Sequence, residues 1–114
     1  MLTVIFEVTP KPGQASRYFE IAAELVADLQ KIDGFISVER FESLSRPGTF
    51  LSLSTWRDEA AVRAWRNQGL HRSGQREGRE VVFESYRIRV AQVLRDYSLT
   101  ERDQAPTDSN TALL

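Results

Sequence analysis

Twice in succession this chain runs from a stretch with the period of a strand, through one with the period of a helix, to a strand again, and that order limits the folds open to it. Leu2, Val4, Phe6 and Val8 alternate with Thr3, Ile5, Glu7 and Thr9, the two-residue repeat of an extended chain. P-K-P-G at 10–13 breaks the pattern. From Ala15 to Ile32 the apolar residues Tyr18, Phe19, Ala22, Leu25, Val26, Leu29 and Ile32 recur every three to four positions, which makes one stripe on a helix of about five turns. Asp33-Gly34 closes that helix, glycine supplying the positive φ its end often needs. Alternation returns from Phe35 to Leu44, S-R-P-G at 45–48 turns the chain, and Thr49 to Trp56 forms a third strand in a hairpin with the second. Asp58 suits the N-cap of a helix from Glu59 to about Gln68, with Glu59 favoured in its first turn by the helix dipole. Gly69 interrupts, a second helical piece is expected from about Leu70 to Glu80, and Tyr86 to Asp96 reads as the last strand.

The order β-α-β-β-α-β predicts an α+β fold of the ferredoxin-like kind, a four-stranded antiparallel sheet with two helices on one face. With 114 residues the chain makes one domain. That domain is placed at 1–97, followed by a polar, aperiodic tail at 98–114 expected to be flexible. Helices cover only one face of such a sheet, yet both faces are apolar. Leu2, Val4, Phe6, Ile36, Val38, Leu51 and Leu53 are assigned to the helix side. Ile5, Phe35, Phe41, Phe50, Trp56 and Val93 then face away, together with Glu7, Ser37, Glu39, Ser52, Ser54 and Arg87. An uncovered face of that kind calls for a second copy of the chain, two sheets closing a barrel around a mixed polar and apolar space. Ser37, Phe41, Ser54 and Arg87 are the candidate substrate-binding residues of that space, Arg87 or Arg89 for an anionic group.

Charge narrows the partners. Fifteen basic and 16 acidic residues nearly balance, which argues against the concentrated basic surface that nucleic acid requires. Nine arginines between Arg57 and Arg95 are interspersed with acidic residues and read as a solvated mixed face. Without cysteine, and with His71 as the single histidine, neither a disulfide nor a zinc site is expected. No apolar run reaches the roughly 20 residues of a membrane span and no leader is evident at the N-terminus, so the expected location is cytoplasmic with no membrane partner. No phosphate-cradling glycine motif occurs.

Several segments resemble the antibiotic biosynthesis monooxygenase superfamily of dimeric α+β barrels. They are the opening strand with K-P-G and a long helix, G-F-I-S-V-E-R-F-E-S with P-G-T-F, L-S-L-S-T-W-R-D-E-A-A-V-R-A-W with the later His71, and V-A-Q-V-L-R-D-Y. The resemblance spans about residues 2–97. It implies a homodimer with one cavity per subunit between sheet and helices. The activities it implies are cofactor-free oxidation of electron-rich polycyclic phenols, or oxidative haem degradation. By the same resemblance Trp65 matches the helix tryptophan that lines the cavity, and His71 stands where the quinone-forming branch has a tyrosine. Ala61 occupies the place of that branch's asparagine, and Gln75 that of the haem branch's histidine ligand. The first strand also lacks the haem branch's asparagine.

The expectation is therefore a cofactor-independent monooxygenase, with dioxygen and a small electron-rich aromatic as its substrates and no metal. Trp65 and His71 are its catalytic candidates, with Trp65 a hydrogen-bond donor to a developing oxyanion and His71 a base that titrates near neutral pH. The alternative is a non-catalytic small-molecule-binding dimer of the same fold, with haem degradation third.

Overall fold

A computed structural model of the chain describes residues 1–68, 72–73 and 76–113. Strand β1 covers Leu2–Pro10, helix α1 Ala15–Leu29, β2 Phe35–Glu42, β3 Phe50–Trp56, helix α2 Glu59–Arg66 and β4 Phe83–Gln92, with a last helix α3 at Thr107–Leu113. The sheet order is β2-β3-β1-β4, and every neighbouring pair is antiparallel. β3 thus lies between β1 and β2, and β1 between β3 and β4, which is the ferredoxin-like split arrangement the sequence predicts.

Side-chain placement follows from register. Val4 pairs with Ser54 on one side and Val90 on the other, and Val38 pairs with Ser54. Because paired residues share a face, the even positions turn toward the helices along the regular stretches of the four strands, between the register shifts at Phe35/Ser37 and Thr9/Pro10. This corrects the assignment of β3. Phe50, Ser52, Ser54 and Trp56 stand on the helix side with Val4 and Phe6, whereas Leu51 and Leu53 pair with Glu7 and Ile5 on the outer face. A bulge between Phe35 and Ser37 sets Phe35 opposite Trp56, so Phe35 also turns inward, and Ile36 is 53% exposed rather than core.

The core comes in two parts. Val8, Tyr18, Ile21 and Val82 form one buried cluster, flanked by Phe6, Leu25, Phe50 and Phe83. Leu29, Trp56, Ala61 and Val62 form the other, flanked by Val4, Phe35, Val38 and Trp65. α1 serves both, since Tyr18, Ile21, Ala22 and Leu29 fall on one helical stripe. Gly34, at φ +94°, brings the α1–β2 turn onto α2 so closely that a Cβ there would lie 2.8 Å from that of Ala61. The same turn is tied to α2 by Arg57, which donates to both Asp33 oxygens at 3.0 and 3.1 Å and to Asp58 Oδ2 at 3.1 Å.

The expected second helical piece is a π-helical turn at Gly78–Val82 where it joins β4, and its start at Leu70 lies outside the described residues. β4 begins and ends earlier than the periodicity suggests, at Phe83 and Gln92. Residues 98–114, expected as a polar, flexible tail, contain α3. There Arg102 packs over the Tyr97 ring at 5.1 Å and donates to Asn110 Oδ1 at 3.1 Å, and Gln104 accepts from the Asp96 backbone at 2.8 Å. Among the described residues no helix is long and apolar enough to cross a membrane.

Candidate functional site

Between sheet and helices lies a cavity of about 200 Å³. Its floor is two cross-strand rows, one running Val38–Ser54–Val4–Val90 and the next Arg40–Ser52–Phe6–Ile88, all eight residues lining the space. The roof is the α1 stripe from Tyr18 to Leu29, with Val62, Trp65 and Arg66 of α2 beside it and Phe83 closing the far end. It separates the two halves of the core, since Phe6, Ile21 and Phe83 belong to one cluster and Val4, Leu29 and Trp65 to the other. A volume below the roughly 300–1,000 Å³ of drug-sized ligand sites suits a small ligand.

Trp65 reaches this cavity because α2 is held at its N-terminus. Asp58 Oδ1 accepts from the Ala61 backbone N–H at 2.9 Å, which caps the helix. That hydrogen bond, and then the Arg57 guanidinium, hold the Asp58 carboxyl below its usual range. The Trp65 ring stacks on Trp56, with centroids 6.2 Å apart and planes at 28°. Trp56 is fully buried, and its Nε1–H donates to Ser54 Oγ at 2.9 Å. Ser54 Oγ in turn contacts the Val4 carbonyl at 3.5 Å. The Ser54 hydroxyl therefore lies at the cavity but is engaged in fixing the tryptophan that backs Trp65.

The other predicted binding residues lie on the outer face that the sequence assigns them, away from this cavity. Register sends Ser37, Phe41 and Arg87 to the outer face with Thr55, Leu51 and Glu7. Phe41 is 45% exposed, and Arg87 lines a polar outer cleft of about 450 Å³ with Glu7, Arg46 and Arg89. In that cleft Arg89 and Arg46 lie 3.1 and 3.6 Å from the Glu7 carboxylate. His71 and Gln75 lie outside the described residues. Among the described residues no group of three or more histidine, cysteine, aspartate or glutamate side chains could hold a metal ion.

Three polar residues at the cavity were not among the candidate binding residues. Arg40 and Ser52 oppose each other on its floor, and Tyr18 lines the roof with its hydroxyl buried. Tyr18 is 4% exposed, and burial raises its pKa against the opposing pull of the Arg40 guanidinium beside it. The sequence did carry a signal, since residue 40 follows Val38 by one strand period and must share its face.

Fold and site together define a ferredoxin-like α+β domain built around a small, largely apolar ligand cavity. A sequence profile described as antibiotic biosynthesis monooxygenase matches residues 1–77, and the chain belongs to that family. It is 50% identical over 93 residues to a Pyricularia oryzae protein named jasmonate monooxygenase ABM, covering 82% of this chain and 43% of that protein. The chain thus spans less than half the length of this fungal relative. To the uncharacterized protein YqjZ of Bacillus subtilis it is 33% identical over 90 residues, 79% of this chain and 76% of that one. Among solved structures, Rv0793 from Mycobacterium tuberculosis superposes with a TM-score of 0.76 at 18% identity, covering 85% of this chain and 98% of that chain. That likeness is one of fold.

Proposed function

We propose that this protein is a monooxygenase that oxidises a small, electron-rich organic molecule with dioxygen, inside the cavity between sheet and helices and without a cofactor. The observation that carries the reading is that cavity, lined by Trp65, Phe6, Tyr18 and Phe83, in a chain of this family. A phenol or enol that loses its proton becomes electron-rich enough to pass an electron to dioxygen. The two radicals couple to a peroxide, which takes up a proton and then loses water, leaving a new carbonyl. One oxygen atom ends in the product and the other in water. His71 is assigned the proton transfers and Trp65 the orientation of the substrate. A phenolic aromatic substrate is the form of this reading that the aromatic walls favour, and the fungal relative's name adds jasmonate to the candidates.

The outer sheet face, with Ile5, Leu51, Leu53 and Phe41, is assigned to a homodimer interface. Ser37 and Arg87 would then act from that face rather than from the cavity. Light scattering should give twice the 13.0 kDa chain mass.

Oxygen uptake with naphthalenediols and anthrones, in the presence of chelator, tests the activity. Wild type should consume oxygen, and Trp65→Phe and His71→Ala should each lose at least about tenfold, since a general base contributes roughly 10²-fold or more. Uptake that survives both substitutions would withdraw the assigned roles. Absence of uptake with every compound would favour the non-catalytic binding dimer.

A further inference from the structure

Arg40 is an unusual residue to find on the floor of an apolar cavity. Its Nε is buried without a hydrogen-bond partner, and the buried hydroxyl of Tyr18, another lining residue, lies beside the same guanidinium. Among the described residues no carboxylate lies within ion-pairing distance of Arg40, although Arg17, Arg46, Arg57 and Arg89 all have such partners. Among the described residues the lining of the cavity contains two cations, Arg40 and Arg66, and no acidic residue. Arg66 is exposed, so Arg40 is the charge set among the walls. Across the floor from Arg40 stands Ser52. Buried donors without acceptors are costly, and native proteins seldom leave them so. A guanidinium offers five N–H donors and accepts nothing, and the group that matches it in shape is a planar carboxylate bound through two parallel hydrogen bonds.

We infer that the cavity takes an organic carboxylate, its two oxygens held by the Arg40 guanidinium with the Tyr18 hydroxyl as a third donor. The apolar body lies along Phe6, Val4 and Val90 toward Trp65. This rests on the proposed function for the identity of the site, and it adds the class of substrate: a small, mostly apolar acid rather than a neutral phenol. Arg40 and Tyr18 are its specificity-determining residues. The outer cleft around Arg87 and Arg89 is the competing anion site, but there Glu7 already neutralises part of the charge.

The test is a binding comparison between 2-naphthoate and its neutral isostere 2-naphthamide, titrated by calorimetry at pH 7 into the full chain. Wild type should bind the acid roughly 10- to 100-fold more tightly than the amide, the range expected for hydrogen bonds to a charged group. Arg40→Gln should abolish that preference while leaving amide binding within about twofold, Tyr18→Phe should reduce it severalfold, and Arg63→Gln on the exposed side of α2 should leave it intact. Equal affinity of wild type for acid and amide, or no binding of either, overturns the inference without recourse to any variant. So does a preference that survives Arg40→Gln and disappears in Arg89→Gln, since the outer cleft would then be the anion site. Oxygen uptake with neutral anthrone, measured in parallel, reports on the monooxygenase reading alone, so the two can fail separately.

Discussion

Replacing Ser54 by alanine removes one oxygen atom, and the cost should fall on Trp56. The indole N–H of Trp56 donates to Ser54 Oγ at 2.9 Å, and Trp56 has no exposed surface through which water could substitute as acceptor. A buried donor left unpaired costs about 1–3 kcal/mol; the middle of that range is about 2 kcal/mol. With an m-value of roughly 1.5 kcal/mol/M for a chain this size, the urea midpoint should fall by about 1.3 M. Circular dichroism at 222 nm gives the midpoint, and m should stay constant, because the surface exposed on unfolding is unchanged. The decisive comparison is the same substitution in a Trp56→Phe background, where the donor is gone. There Ser54→Ala should cost less than about 0.5 kcal/mol, the remainder being the coupling energy of the pair. An equal loss in both backgrounds would show that Ser54 acts through packing, and the support assigned to Trp65 would have to be sought elsewhere.

Two more expectations concern stability. The Arg17 guanidinium binds the Glu77 carboxylate, one of its hydrogen bonds at 2.8 Å, and holds the Glu77 pKa below its ordinary 4.5. A carboxyl depressed in the folded state adds stability that is complete above its unfolded pKa and is lost as pH falls through the folded value. Carboxyl-carbon NMR should therefore show Glu77 titrating below 4.5 in wild type and returning toward it in Arg17→Gln, and an unchanged titration would remove the pair from the account of acid unfolding. Gly78→Ala should destabilise the domain by about 1–3 kcal/mol, the usual cost of overpacking, because the new Cβ would run into the Phe83 ring. A thermal midpoint within 1–2 °C of wild type, against the roughly 4 °C or more expected per kcal/mol in a small domain, would mean that the ring moves aside.

Element order was legible in the sequence because periodicity distinguishes strand from helix without reference to anything distant. The phase of β3 was not. L-S-L-S-T-W alternates cleanly, but alternation says only that leucines and serines lie on opposite faces, and hydrophobicity alone sends the leucines inward. What decides is the pairing of Val4 with Ser54, a long-range fact. The serines face inward because they floor a cavity, where no neighbouring side chain demands an apolar contact, and Trp56 fills the end of the row instead. The bulge at Phe35 likewise depends on β3 as a partner. Trp65 was legible because both helical spacing and resemblance mark it. Arg40 was missed since its charge reads as solvated, although the inward Val38 two residues earlier already fixes its face. The α3 segment was missed for another reason: Arg102 donates to Asn110 and Gln104 accepts from the Asp96 backbone, and polarity alone does not distinguish such bonding from solvation.

The cavity's position between two separate core clusters has a consequence for how such a protein changes over generations. Substitutions in groups that share no contacts tend to add independently. Phe83 and Val82 can vary with the wall they belong to while the tryptophan wall keeps its geometry, and the reverse holds for Val62 and Leu29. One half can then preserve the fold while the other explores new ligand shapes. A single continuous core would couple every such change to the whole. The divided interior gives the fold a scaffold on which the shape of the cavity can change with little penalty to folding.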